Sequence, residues 1–207
     1  EAFLKEYPSE EFQQIAYKRI YHVFKEKYGT DEFLKYFPSL IWNDSIRNVQ
    51  QLERDYWVPK LTDNTIEFVN SNGTSMLKTK LTTVPQNCLC EPTIADFVVG
   101  SYFEESAIIS RDGHLLYSGN FTNARDAGFG FIILEAEDGE RLFHKSGEMI
   151  INEPKEAIEV LNESLIRTAE NGFFGLESIN GLRYLENEFT LIDTLGRFLW
   201  LEKEDGI

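Results

Sequence analysis

Apolar positions change their spacing once along this chain. From residue 9 to about 56 they recur every three to four residues, the period of a helix with one buried stripe. In "SEEFQQIAYKRIYHVFKEKYG", Phe12, Ile15, Ala16, Ile20, Val23 and Phe24 share a face. Ser9 after Pro8 is an N-cap, followed by two acids. Lys25 and Lys27 sit in the last turn and Gly29 ends it, as the helix dipole and a left-handed terminal residue favour. Thr30 opens a short second helix to Phe37, stopped by Pro38. Asn43 or Ser45 caps a third, with Ile46, Val49, Leu52 and Tyr56 along one side. The aromatic stripe in this region reads as a packing face.

From Trp57 onward short runs rich in Val, Ile, Phe, Tyr and Leu alternate with Asn, Asp, Gly and Ser turns. "TIEFV", "DFVV", "AIIS", "HLLYS", "FGFIIL", "RLFH", "EMII", "SLIRT", "FGLES", "FTLID" and "RFLWL" predict a succession of short strands joined by hairpins. The exception is "EPKEAIEVLN", residues 153–162, which reads as a helical turn.

The turns keep a period. Gly73, Gly113, Gly147 and Gly181 each follow a polar pair, at gaps of 40, 34 and 34. Gly100, Gly139, Gly172 and Gly206 form a second series, at gaps of 39, 33 and 34. Glycine reaches positive φ at little steric cost, so each of these positions predicts a tight turn between two strands. A single such unit cannot bury both of its faces. Successive units must pack on one another, which makes the chain a repeat array. The predicted fold is mainly β: an array of short antiparallel β-hairpin repeats of about 34 residues each, preceded by an N-terminal α-helical segment. The division falls into residues 1–56, helical, and 57–207, the β-repeat domain of about four units with an irregular first one.

At these residues the sequence resembles the WG-repeat family of bacterial proteins, also called KWG repeats. In that family a polar turn with Gly, an apolar pair, a proline, further apolar positions, Gly-Leu and a second polar turn follow one another. Here Gly147, then Met149, Ile150 and Ile151, then Pro154, Ile158 and Val160 take those places. Leu165 and Ile166 lead into the turn Glu170-Asn171-Gly172, and Phe174-Gly175-Leu176 stands where the family has Trp-Gly-Leu. The match is close over residues 107–207 and weak over 57–106. The sequence departs from the pattern in two places. None of Trp42, Trp57 or Trp200 is followed by Gly, and Glu156-Ala157 replaces the family's Tyr-Asp pair. The resemblance implies a β-rich module with a binding role and brings no catalytic residue.

Composition narrows the function. A net charge of −15 excludes a phosphate-backbone partner, which needs a basic face. No run of 18 apolar residues exists, so no helical membrane span is predicted. Cys88 and Cys90 read as reduced thiols, and His22, His114 and His144 form no metal spacing with them. No cofactor or metal is expected. The chain opens at Glu1 rather than Met, as a fragment or a chain trimmed of a signal would; a cytoplasmic location is favoured. Asn72-Gly-Thr and Asn120-Phe-Thr match the short glycosylation acceptor pattern.

There is no nucleophile elbow and no Gly-rich phosphate loop. His114 and His144 beside turns, and the acid pairs Glu104-Glu105 and Asp138 with Glu140, are the enzymatic alternative. A second alternative is an acidic immunity-type protein that neutralises a basic toxin, with acids gathered on one face. The leading expectation is a non-catalytic scaffold that binds a protein or peptide partner. The candidate binding residues are the aromatics Tyr117, Phe121, Phe173 and Tyr184.

Overall fold

The computed structural model describes residues 10–36, 58–84, 97–110, 115–195 and 198–204. The third predicted helix (43–56), Cys88, Cys90, Gly113, His114, Gly196 and Gly206 lie outside them.

Helix α1 spans Glu10–Tyr28 and α2 spans Thr30–Tyr36. Between them Gly29 takes φ +81° and its N–H donates to the Lys25 carbonyl at 3.2 Å, the left-handed stop read from the sequence. Among the described residues the remainder is mainly antiparallel β-structure, 16 strands in small meandering sheets. The strands are β1 (Val58–Thr62), β2 (Thr65–Val69), β3 (Ser75–Lys78), β4 (Phe97–Tyr102), β5 (Glu105–Ser110), β6 (Leu115–Gly119), β7 (Asn123–Gly128) and β8 (Phe131–Ala136). They continue with β9 (Gly139–His144), β10 (Glu148–Lys155), β11 (Ala157–Val160), β12 (Leu165–Glu170), β13 (Phe173–Ser178), β14 (Arg183–Phe189), β15 (Leu191–Leu195) and β16 (Phe198–Glu202).

The repeat is visible in the strand starts. Strands β4, β8, β12 and β16 begin at 97, 131, 165 and 198; β5, β9 and β13 at 105, 139 and 173; β7, β11 and β15 at 123, 157 and 191. Every interval is 33 or 34 residues. Hydrogen bonds repeat with it. The Thr122 N–H and Oγ1 both donate to the Glu135 carbonyl, at 2.7 and 3.0 Å. Thr190 does the same to Glu202, at 2.8 and 3.2 Å. Thr82 does so to Ser101, at 2.9 and 3.3 Å.

Of the eight periodic glycines, Gly73, Gly147, Gly181, Gly139 and Gly172 have positive φ. Asn171 at +54° and Gly172 at +78° give the β12–β13 turn two positive central residues, the twist a two-residue hairpin requires. Gly100 is a correction: it lies inside β4 and makes no turn. A Cβ there would stand 2.5 Å from the Thr83 carbonyl oxygen, so the glycine is set by a close backbone approach. Residues 157–160 also differ from expectation. They form strand β11, paired to β12, not a helical turn.

The chain divides into two compact units, Thr30–Phe121 and Glu1–Gly29 with Thr122–Ile207. This boundary falls inside the β-rich part, and α1 is grouped with the later repeats. The first unit holds sheets β1-β2-β3 and β4-β5-β6 around Ile66, Phe68, Leu81, Val98, Ala107 and Ile109.

In the second unit three sheets follow one another: β7-β8-β9-β10, β11-β12-β13-β14 and β15-β16. Alternation along each strand gives every sheet two faces. Phe131, Ile133, Leu142 and Ile151 of the first sheet pack on Ile158 and Ile166 of the second. Leu176 and Phe189, on the opposite face of the second, pack on Ile192 of the third. Each fully buried side chain of this kind stabilises by about 1.5–3 kcal/mol.

Helix α1 runs beside the turns of this unit. Arg19 donates to Glu148 Oε2 at 2.7 and 3.0 Å and to Asn180 Oδ1 at 3.2 Å, joining the equivalent turns around Gly147 and Gly181. Among the described residues no helix is long and apolar enough to cross a membrane.

Candidate interaction surface

The periodic face-to-face packing has one face with no sheet over it among the described residues. Phe131, Leu165 and Phe198 hold the same position in β8, β12 and β16, as do Ile133, Arg167 and Trp200. Ala127, Leu161 and Leu195 correspond at or just after the ends of the preceding strands. In the first two sheets these positions face the sheet that follows: Phe131, Ile133 and Ala127 join one core, and Leu161 and Leu165 join the next. In β15–β16 they are open, with Phe198 76%, Leu195 64% and Trp200 45% exposed. The register sets Leu195 opposite Phe198 and Asp193 opposite Trp200, so these side chains share one face of the hairpin. Ile192 and Leu201 point the other way, into the core.

This face is apolar at its centre and acidic at its edge. Trp200 Nε1 donates to Glu202 Oε1 at 2.8 Å, which fixes the indole beside a carboxylate, and Asp193 stands exposed across the strand. A contiguous exposed apolar patch with a polar rim marks an association site. Its chemistry fits an apolar β-surface carrying Lys or Arg.

The residues chosen from sequence fall elsewhere. Tyr117 is half-buried in β6, its ring 5.9 Å from that of Phe121. Phe121 is 4% exposed, a correction to its expected role as a contact. Its carbonyl accepts from Ser106 Oγ, and its buried ring lies against Tyr117. Phe173 is half-buried at the start of β13. Tyr184, 54% exposed on β14, is the one of the four on open surface. The structure does not gather these four residues into one site. Sequence reading missed Phe198, Trp200 and Leu195 because an apolar strand looks the same whether or not another sheet covers it. The usable signal was phase, since Leu161 and Leu165, one period back from Leu195 and Phe198, pack into a core.

Of the enzymatic candidates, His144, Asp138 and Glu140 each have a partner within the fold. His144 is 1% exposed. Its Nδ1 accepts from the Ser146 N–H at 3.1 Å and lies 2.8 Å from Ser146 Oγ, which donates to Glu148 Oε2. Burial, with Arg19 nearby, pushes its pKa down to about 4, so the ring is neutral and serves the turn as an acceptor. Asp138 pairs with Arg141 at 2.6 Å, and Glu140 pairs with Arg125 at 2.9 Å. Among the described residues no group of three or more His, Cys, Asp or Glu could hold a metal ion.

No family model matches this chain, and no curated protein matches it.

Proposed function

We propose that this protein is a non-catalytic β-repeat scaffold that binds a protein partner through the β15–β16 face. The observation that carries the reading is the exposure of Phe198 and Leu195 at positions that pack into a core in both repeats before them, with Trp200 beside them at the position of the buried Ile133. A face of this kind takes another apolar surface, whether a further repeat or a separate protein. The resemblance to WG repeats supports the same role, since the 34-residue unit on which it rests recurs in the strand starts.

The alternative of an acidic toxin neutraliser calls for acids gathered on one face. Instead Glu135 and Glu140 pair with Arg125, Asp138 with Arg141, and Glu177 and Glu186 with Arg183, spread along the repeats. This favours the scaffold.

The test is capture of partners by the full chain and by a Phe198→Asp/Trp200→Asp variant, then titration calorimetry with each purified captured protein. The expected result is a partner whose affinity falls at least tenfold in the double variant while Tyr184→Ser binds as before. Captured proteins that bind the double variant with unchanged affinity would overturn the reading.

A further inference from the structure

A cavity of about 370 Å³ lies away from this surface, on the β11–β13 side of the second sheet. Its walls are Arg125, Ala157, Glu159, Arg167, Ala169 and Phe174. We propose that this cavity binds a compact organic carboxylate: an acid group held by the two guanidinium groups, on an apolar body that rests on Ala157, Ala169 and Phe174.

The preceding repeat shows what the slot normally contains. Ala157, Ala169 and Phe174 correspond to Asn123, Glu135 and Glu140. Those three side chains form a closed network in the first sheet. Asn123 Nδ2 donates to Glu135 Oε2 at 3.0 Å, Arg125 Nε donates to Glu135 Oε1 at 3.1 Å, and Arg125 Nη2 donates to Glu140 Oε1 at 2.9 Å. One repeat later both carboxylates and the amide are gone. Two methyl groups and a phenyl ring stand in their place, and the space they vacate is the cavity.

Two guanidinium groups and one carboxylate, Glu159, line the cavity; Arg167 pairs with Glu159, and Arg125 pairs outside the lining with Glu135 and Glu140. Both arginines keep a donor in reserve. Arg125 uses Nε on Glu135 and Nη2 on Glu140 and on the Ile158 carbonyl; Nη1 makes no hydrogen bond among the described residues. Arg167 uses Nη1 on the Ile192 carbonyl and Nη2 on Glu159, leaving Nε. Its guanidinium lies 4.9 Å from the Phe174 ring centroid, which holds the fork flat against an aromatic wall. Planar guanidinium donors beside an apolar floor recognise a carboxylate on a flat or aliphatic body. The volume admits a molecule the size of an aryl-acetic acid or the last residue of a peptide.

The probe is phenylacetate, followed by amide NMR on the full chain, with phenylacetamide as the uncharged control. A tripeptide ending in Phe, with free or amidated terminus, distinguishes a free acid from a chain end. Saturable shifts confined to residues around 125, 157–159, 167–169 and 174, and affinity at least tenfold weaker for the amide, are the expected result. Ala169→Glu restores the carboxylate of the preceding repeat and abolishes those shifts. Ala157→Leu, which copies Leu191 of the next repeat, fills the floor and does the same by bulk, so one misfolded variant does not decide the matter. The proposal is overturned by absence of shifts at millimolar phenylacetate. Equal binding of the amide, or unchanged binding in both variants, also overturns it.

Discussion

Ile158 and Ile192 occupy the same place in successive repeats, and an arginine from the sheet before holds the backbone carbonyl of each. Arg125 Nη2 donates to Ile158 at 3.3 Å, and Arg167 Nη1 donates to Ile192. Arg125 and Arg167 are not equivalent residues. Arg125 sits on β7 opposite Ile133, whereas Arg167 sits on β12 opposite Glu159. The arginine has moved to the other member of a cross-strand pair while its task stayed the same. At Ile158 the grip is double, because Glu140 Oε2 also accepts from the Ile158 N–H at 2.6 Å. An ion pair thereby takes the place of a neighbouring strand along the outer edge of β11, where unpaired backbone groups would otherwise invite association.

Arg125→Ala removes one half of this clamp and leaves Glu140 without its cation. Arg125 is partly exposed, so solvent screening limits the loss to about 0.5–1.5 kcal/mol. A double-mutant cycle with Glu140→Gln, followed by urea unfolding, checks it: the two substitutions are expected to be non-additive by about 0.5–1 kcal/mol. Additive effects would mean that the pair does not act as a unit.

Gly147→Val and Gly172→Val each force a β-branched residue to φ +104° or +78°. No atom crowds either position, so the cost is conformational, about 1–2 kcal/mol or more each. Thermal melts are expected to fall by several degrees for both. Unchanged midpoints would undo the turn assignment.

Folding acts on His144 in a defined direction. Burial and then Arg19 depress its folded pKa from 6.5 to about 4. Between those values the unfolded chain binds a proton that the folded one refuses. The contribution is therefore present above pH 6.5 and lost as pH falls toward 4, at most roughly 3 kcal/mol. Glu148 extends the loss at the acid end. Burial opposes its charge, but the bonds from Arg19 and Ser146 hold it below the ordinary carboxylate range. Chemical denaturation from pH 7 to 4, compared with His144→Asn, is expected to show the steeper slope in the natural chain. Parallel curves would refute it.

Glu156 stands where other repeats have Thr, and it caps a turn instead. Its two carboxylate oxygens accept from the Asn171 and Gly172 N–H groups, both at 2.9 Å. Glu156→Ala is expected to cost about 1 kcal/mol and to raise amide exchange at Asn171 and Gly172. Exchange rates unchanged at both amides would show that the cap is not formed in solution.

The helices and most strands were legible in the sequence because burial and periodicity agree there: β2 matches "TIEFV" end to end, and α1 ends at its glycine. The strands that were missed have another origin. β7, "NARDAG", is largely polar and solvent-facing and exists because β8 supplies its hydrogen bonds. β11 follows Pro154 of β10 and stands among three acids, and the same residues would suit a helix until β12 pairs with them. β14 hides Tyr184 among charged residues. Glycine phase revealed the period, but it did not reveal which sheet face lacks a cover. That property belongs to neighbours distant in sequence.

The hydrogen bonds of Thr122 and Thr190 make the repeat a unit of length that can be edited. Residues 156–189 comprise 34 positions, and excising them would join Lys155 to Thr190 with the strand phase intact. A one-residue slip of pairing within a strand would turn its inward side chains outward. Duplication of whole repeats lengthens the stack without redesigning a junction, and the 33-residue step from β12 to β16 shows that a turn can absorb a residue. Arg19, which spans two equivalent turns, is the contact that would register how many steps have been taken.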